Sequence, residues 1–263
     1  MNLLNKVVVV TGAGSGMGRE MTLELVRRGA RVAAVDMHRA TVAETATLAG
    51  MGVEVFTLDV TDRAAVSALP AAIEAKLGAV DILVNNAGII QPFIKINDLS
   101  FEQAEKVMNV NFYGPFAMIK AFLPGLLTRP EAHILNVSSM GAFAPVPGQS
   151  MYGASKAALK LMTEGLRSEL KETTVGVTIA FPGAVATNIT ANSGIAMPEV
   201  STDAPAFKQT AAPVAAKIMV DAIEKNKPRV TVGKDATMLD RISRLNPVFA
   251  ANMIYKQMKS LLG

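Results

Sequence analysis

Hydrophobic and polar positions along this chain follow two alternating periods. Short runs of branched apolar residues, such as Val7 to Val10, are too short for helices and indicate buried strands. Longer stretches between them carry apolar residues at helical spacing, such as Met17 to Arg28, which stops at Gly29. This alternation predicts that strands and helices follow one another as βαβ units.

The predicted elements cover most of the chain as far as residue 232. Strands are predicted at 7–10, 31–36, 53–58, 80–84, 133–137, 175–181 and 229–232. Helices are predicted at 17–28, 41–49, 62–77, 101–127, 152–170 and 212–224, the long one with a break near Gly114 or Pro124. Right-handed crossovers place such helices on both faces of one sheet. We therefore predict an α/β, doubly wound, mostly parallel Rossmann-type fold that forms a single domain over residues 1–263.

Two regions fall outside this rhythm. Segment 188–211 is rich in small and polar residues and long for a connection, which predicts a lid or loop over the substrate. Residues 235–263 follow the last strand, and we predict a C-terminal helical extension there. Its apolar stripe at helical spacing consists of Val248, Ala251, Tyr255, Met258 and Leu262. This stripe could cover the pocket, join a dimer or make peripheral membrane contact, and we rank the first two ahead of the third.

Composition narrows the class of protein. Half of the 263 residues are hydrophobic and 18% are charged, which is typical of a folded globular chain. The net charge is +4, but the basic residues are scattered, so we expect no nucleic-acid partner. With no cysteine and two histidines, we expect neither disulfides nor a metal site. The N-terminus lacks a signal-peptide layout and no apolar run approaches a transmembrane length, so a cytoplasmic location is expected.

A glycine cluster and an acidic residue predict a dinucleotide site. The first strand runs into Thr11 and Gly12, and a helix follows Gly16 and Gly18. Glycines let the backbone approach a pyrophosphate, and the helix N-terminus offers free N–H groups to that anion. Asp36 ends the second strand, where a carboxylate can accept hydrogen bonds from ribose hydroxyls and repel a 2′-phosphate. The pattern favours NAD as cofactor, with NADP less favoured.

The spacing Thr11-Gly12-x-x-x-Gly16-x-Gly18 resembles the classical subgroup of the short-chain dehydrogenase/reductase family. The match continues along the chain in Asp59-Val60, in Asn85-Asn86-Ala87-Gly88, in Tyr152-x-x-x-Lys156 and from Pro182-Gly183 to Thr187. The resemblance implies a set of cofactor-binding residues: Gly12, Ser15, Gly16, Met17, Gly18, Asp36, Asp59, Val60, Asn86, Ala87, Gly88, Tyr152, Lys156, Pro182, Gly183, Val185 and Thr187.

The same resemblance implies four catalytic residues, Asn111, Ser139, Tyr152 and Lys156, and the family's serine lies 13 positions before its tyrosine, which selects Ser139. A free tyrosine has a pKa of ~10, and a nearby cation lowers it. Lys156 lies one helical turn from Tyr152, so we expect it to lower the pKa of that phenol. The resemblance gives Ser139 the task of polarising the substrate oxygen and Asn111 that of positioning a water next to Lys156.

We therefore expect an NAD(P)-dependent enzyme that transfers a hydride between nicotinamide and an apolar secondary alcohol or ketone. The expected pocket walls are mostly apolar: Ile89, Ile90, Pro92, Phe93, Met140, Phe143, Val146, Met151, Met197 and Phe207. Two alternatives are a cofactor-sensing regulatory protein without turnover and an epimerase or dehydratase that reuses bound NAD. The resemblance implies a homodimer or homotetramer, although the long tail departs from the family's usual ending.

Overall fold

The structure is a computed structural model that describes residues 1–187, 189, 193–195 and 209–258. Its central sheet has seven parallel strands in the order β3-β2-β1-β4-β5-β6-β9. These strands are β1 (Val7–Thr11), β2 (Arg31–Asp36), β3 (Val53–Thr57), β4 (Ile82–Asn85), β5 (Ala132–Val137), β6 (Val175–Pro182) and β9 (Arg229–Val232). A second, two-stranded sheet pairs β7 (Val185–Ala186) with β8 (Thr210–Ala211). The predicted doubly wound α/β fold is confirmed.

Nine helices in the described residues surround this sheet. They are α1 (Gly16–Arg27), α2 (Arg39–Ala49), α3 (Arg63–Leu77), α4 (Phe101–Met108), α5 (Gly114–Leu126), α6 (Ser150–Glu169), α7 (Ala212–Glu224), α8 (Lys234–Leu245) and α9 (Pro247–Met258). None of these described helices combines the length and hydropathy needed to cross a lipid bilayer.

A hydrophobic core lies on each face of the sheet. Alternate residues of β1 point to opposite faces, so Val8 and Val10 join the core beneath α1 and α7, whereas Val7 and Val9 join the core beneath α3 and α5. A strand buried on both faces must be apolar at every position. This explains why β1 reads as an unbroken valine run in the sequence.

The long helix predicted over 101–127 is three elements. A π-helical turn, Asn109–Tyr113, separates α4 from α5. The predicted break near Gly114 is therefore close, but Pro124 lies inside α5 and does not end it. The turn matters for the site because it carries Asn111, whose side chain is fully buried.

The C-terminal extension forms two helices, and the apolar face predicted for it is wrong in part. The helix restarts at Pro247 and buries Ala250 and Ile254 against the loop that follows β5. Val248 and Tyr255 stay 69% and 55% exposed because this packing uses a neighbouring face. Leu262, Met197 and Phe207 lie outside the described residues, as does most of the predicted lid over 188–211.

Candidate active site

A cleft of about 660 Å³ opens at the carboxyl ends of the central strands. It is bordered by the glycine loop after β1, by the ends of β2 and β3 and by the segment after β4. Predicted cofactor residues that line it are Gly12, Ser15, Gly16, Met17, Asp36, Asp59, Val60, Asn86, Ala87, Gly88 and Thr187. Ligands of parallel sheets bind at this edge, so the cleft is the candidate cofactor site.

The glycine loop is held too tightly for larger residues. Gly12 has a φ of +66°, and a Cβ there would lie 2.9 Å from the Cα of Ala87. A Cβ on Gly18 would lie 2.0 Å from the carbonyl oxygen of Gly12. Gly18 is therefore behind the cleft, where it lets α1 pack against the loop.

Thr11 and Asn86 fasten this loop to the end of β4. The Thr11 hydroxyl accepts hydrogen bonds from the backbone N–H groups of Asn86 and Ala87, at 3.0 and 3.1 Å. The Asn86 side-chain amide donates in return to the Thr11 carbonyl oxygen at 3.0 Å. These reciprocal bonds hold the two walls of the cleft at a fixed separation.

Two carboxylates mark the far end of the cleft. Asp36 accepts hydrogen bonds from the N–H groups of Gly14 and His38, both at 2.9 Å, which aim the carboxylate along the glycine loop. Asp59 accepts from the N–H and the hydroxyl of Thr61, also at 2.9 Å. Both carboxylates are thus fixed by local turns at the ends of β2 and β3.

Lys156 lies directly behind the lining residue Gly88. A Cβ on Gly88 would lie 3.1 Å from the Lys156 ammonium nitrogen and 3.2 Å from Asn111 Oδ1. The lysine is 4% exposed and donates to the carbonyl oxygen of Val137 at 3.1 Å. Burial lowers the pKa of its ammonium group to about 8.

Asn111 uses its whole amide to join two segments. Its Oδ1 accepts from the N–H of Ile89, and its Nδ2 donates to the carbonyl oxygen of the same residue, both at 2.9 Å. Nδ2 also donates to the hydroxyl of Ser155 on α6 at 3.0 Å. The π-helical turn therefore ties the segment after β4 to the helix that carries Tyr152 and Lys156.

Tyr152 and Ser139 meet at the start of α6. Burial raises the pKa of the Tyr152 phenol, and a side-chain hydrogen bond with Ser139 opposes part of that rise. The expected lowering by Lys156 is not found, and its ammonium group donates to the Val137 carbonyl oxygen. Ser139 is held in turn by the Gly141 N–H, which donates to its hydroxyl at 3.1 Å.

The predicted nicotinamide segment borders the site without lining all of it. Thr187 lies opposite the glycine loop, where a Cβ on Gly16 would approach it to 3.2 Å. Pro182 is buried at the end of β6, and Val185 packs into the core beneath α1 and α7. These two and Gly183 are not among the described residues that line the cleft.

Sequence reasoning missed Asp235, in the first turn of α8. Its carboxylate accepts from the N–H of Ala184 at 2.7 Å, and a Cβ on Gly183 would lie 2.2 Å from it. Gly183 is therefore small because a carboxylate from the tail occupies the space. No local pattern signals a contact between residues 51 positions apart.

Four of the apolar residues predicted as substrate walls fall into two groups. Ile89 lines the cleft. Met140, Phe143 and Val146 instead pack against the C-terminal helices. The Phe143 ring lies 5.4 Å from that of Phe181, and its place in a substrate wall stays a prediction.

Comparisons with known proteins agree with this geometry. The family profile of the short chain dehydrogenases matches residues 6–197. A Mycobacterium tuberculosis chain, SadH, to which an oxidoreductase activity is provisionally ascribed, is 37% identical over 250 residues, covering 91% of this chain and 90% of that one.

Solved structures match over nearly the whole chain. A short-chain dehydrogenase/reductase from Burkholderia phymatum in complex with NAD has a TM-score of 0.84 and 26% identity, covering 96% of this chain and 97% of that one. A short-chain dehydrogenase from Burkholderia cenocepacia in complex with NADP has a TM-score of 0.81 and 28% identity, covering 97% and 99%. The chain therefore belongs to the short-chain dehydrogenase/reductase family of NAD(P)-dependent oxidoreductases.

Proposed function

We propose that the protein is an NAD-preferring dehydrogenase/reductase of apolar secondary alcohols and ketones. The cleft fits a dinucleotide: its floor is backbone at Gly12 and Gly16, and a Cβ at either would meet the opposite wall within 3.2 Å. When bound, the nicotinamide supplies or accepts the hydride. The protein's own task is then to place the substrate oxygen and to move one proton at it.

One observation carries this proposal. The Tyr152 ring and the Ser139 hydroxyl lie together beside Gly141, where a Cβ would lie 3.4 and 3.5 Å from them. Lys156 and Asn111 converge behind Gly88, which lines the cleft. We assign the Tyr152 hydroxyl as the group that donates a proton to a ketone oxygen and accepts it from an alcohol. The Ser139 hydroxyl lies beside the Tyr152 ring and is the second group that can hold the same oxygen.

Lys156 serves as the electrostatic partner of this pair. Its pKa of about 8 leaves most of the ammonium group charged at neutral pH. We propose that it turns from the Val137 carbonyl to ribose hydroxyls and stabilises the Tyr152 phenolate during proton transfer. Asn111 joins Ile89 to α6 next to Lys156. The family resemblance implies that Asn111 also positions a water that links Lys156 to solvent.

The preference for NAD rests on charge at the far end of the cleft. Among the described residues that line it, the charged ones are Asp36, Asp59, Glu102, Glu105 and Lys106. Four of these five are acidic. A 2′-phosphate near Asp36 would meet a fixed carboxylate, whereas ribose hydroxyls could donate to it. The two solved relatives hold NAD in one case and NADP in the other, so the family alone does not choose.

The substrate class rests on the apolar and partly exposed side chains near Tyr152. Ile89 and Ile90 precede Gln91, which contacts the start of α6, and Met151 is the second residue of that helix. All three are half-buried, and none carries a charge that would hold a phosphate or carboxylate. An apolar alcohol whose oxygen reaches Tyr152 is the ligand that such walls favour.

The test follows the absorbance of reduced nicotinamide with NAD and NADP. The substrates are cyclohexanol, 2-octanol, 1-phenylethanol and their ketones. We expect turnover with at least one pair, and a fall in kcat of about 10²–10⁴-fold in Tyr152→Phe because the proton donor is lost. Calorimetry should show that Tyr152→Phe still binds NADH. Absence of turnover in the wild-type protein would contradict the substrate class, and full activity of Tyr152→Phe would remove Tyr152 from its role.

A further inference from the structure

The helix that carries Tyr152 does not cap its own N-terminus with a side chain. The residue before α6 is Gln149, and its side chain makes no capping hydrogen bond. The first N–H groups of a helix have no partner within the helix and need acceptors from elsewhere. Because Tyr152 is the third residue of α6, whatever accepts these bonds also holds the backbone of the proposed proton donor.

The acceptor comes from Gln91, in the segment after β4. Its Oε1 accepts from the N–H groups of Met151 and Tyr152, at 2.8 and 2.9 Å. These are the second and third N–H groups of the helix, the ones that an N-cap side chain normally takes. Gln91 thus acts as the cap of α6 from a position 61 residues before Tyr152.

The remaining polar atoms of Gln91 lock this arrangement. Its side-chain Nε2 donates to the backbone carbonyl oxygen of Gly148 at 2.9 Å. The backbone carbonyl oxygen of Gln91 accepts from Gln149 Nε2 at 2.6 Å. Rotating the amide by half a turn would set donor against donor and acceptor against acceptor. Only one orientation of the side chain therefore satisfies every partner.

Gln91 also belongs to the segment after β4, which forms one wall of the cofactor cleft. Two residues earlier, both the backbone N–H and the backbone carbonyl oxygen of Ile89 are hydrogen-bonded to the side chain of Asn111. Between them, the N–H of Ile90 donates to the hydroxyl of Ser193 at 3.1 Å. The segment thus connects the wall of the cofactor cleft to the start of α6.

We infer that Gln91 is a positioning residue of the reaction, a cap supplied by the cofactor-side segment that sets where Tyr152 stands relative to Ser139 and Lys156. Gln91 is 1% exposed and is not among the described residues that line the cleft, so it acts through Tyr152. The inference rests on the proposed proton-transfer role of Tyr152.

The first test replaces Gln91 by methionine, which keeps the length of the side chain and removes its polar atoms. Two N–H groups of α6 then lack an acceptor, and the first turn of the helix shifts. A displacement of ~1 Å at a reacting group costs about 10²-fold in rate, so we expect kcat to fall by about that factor. The Kd for NADH should not change. Gln91→Glu keeps an oxygen for the two N–H groups, so its kcat should lie between those of Gln91→Met and the wild type.

Asp62→Ala is the matched control. Asp62 caps α3 in the same way, accepting from the N–H groups of Ala64 and Ala65 at 3.0 Å each, and it is not among the described residues that line the cleft. Thermal unfolding of both variants separates lost stability from lost positioning. We expect both to unfold at lower temperature and only Gln91→Met to lose kcat.

A second readout needs no substrate. The chain has three tyrosines and no tryptophan, so Tyr113→Phe with Tyr255→Phe leaves Tyr152 as the only phenol. Its ionisation can then be followed by ultraviolet difference absorbance against pH. In that background Gln91→Met should shift the titration upwards, because a displaced Tyr152 loses the Ser139 hydrogen bond that lowers its pKa.

The outcomes are separable. A wild-type protein without turnover contradicts the proposed function, and the phenol titration still decides the role of Gln91. A folded Gln91→Met protein with wild-type kcat and an unchanged titration overturns the inference, as does a loss of kcat equal to that of Asp62→Ala. Should Gln91→Met not fold, Gln91→Asn decides in the same assays, because its shorter amide cannot reach the N–H groups of α6.

Discussion

The candidate site has two parts that are built in different ways. The glycine loop and the segment it faces form its cofactor half, and the residues packed around Tyr152 form its reacting half. The cofactor half requires residues without a side chain, since a Cβ at Gly12 or Gly18 would overlap the opposite backbone. The reacting half depends on paired atoms, since Asn111, Lys156 and Gln91 are buried polar side chains with partners on other segments. The first half should therefore lose stability when a carbon is added, and the second should lose activity when a hydrogen-bonding side chain is removed.

The largest effect expected in the cofactor half is that of Gly18→Ala. The added Cβ would lie 2.0 Å from the Gly12 carbonyl oxygen and 2.6 Å from Asn86 Nδ2, so the loop must move. We expect a loss of about 1–3 kcal/mol in the free energy of unfolding, as for other overpacked sites. NAD binding should weaken strongly. Chemical denaturation and calorimetry measure the two effects.

Gly165→Ala is the control for this prediction. Gly165 lies in α6, and a Cβ there meets nothing within 4 Å. A helical glycine with free space should gain about 0.5–1 kcal/mol on becoming alanine. If Gly18→Ala were as stable as Gly165→Ala, close backbone approach would not be what shapes the cofactor half.

The reacting half makes an opposite prediction for stability. The pKa of Lys156 falls from 10.5 to about 8 on folding, so the folded protein carries a costly buried charge below pH 8. Between these two values the unfolded chain binds more protons, and stability rises with pH. Lys156→Met should therefore be more stable than the wild type at pH 7, with the gap closing as the pH passes 8. Its catalytic activity should be lost.

Urea unfolding at several pH values measures this gap, and Lys171→Met provides the control. Lys171 is exposed, so its replacement should leave no comparable gap at any pH. A Lys156→Met protein that is less stable at neutral pH would mean that the hydrogen bond to the Val137 carbonyl outweighs the cost of burial.

The same contrast explains how far the sequence predicts this molecule. Strands 31–36 and 229–232 were predicted at their observed bounds, and the glycine loop was predicted from spacing, because both depend on neighbours along the chain. The cap from Gln91 and the contact of Asp235 with Ala184 join residues that are 61 and 51 positions apart. A single glutamine or aspartate in a loop carries no periodic signal of such a partner.

The tail shows a second limit of sequence patterns. Helical spacing predicted an apolar stripe through Val248 and Tyr255, but the helix packs through Ala250 and Ile254. Periodicity identifies which residues can share a face. It does not identify which of two neighbouring apolar faces finds a surface to cover, because that depends on the loop after β5.

The smallest expected effect concerns Asp36, where both halves of the comparison meet. Its carboxylate supplies a charge to the cleft and also accepts from the N–H groups of Gly14 and His38. Asp36→Asn keeps an acceptor oxygen and removes the charge, whereas Asp36→Ala removes both. If charge sets the preference for NAD, the ratio of the Kd values for NADH and NADPH should shift by about tenfold, or ~1.4 kcal/mol, in both variants. A shift in Asp36→Ala alone would assign the preference to the shape of the glycine loop. An unchanged ratio in both would remove Asp36 from cofactor selection and leave Arg39, its exposed basic neighbour, as the next residue to replace.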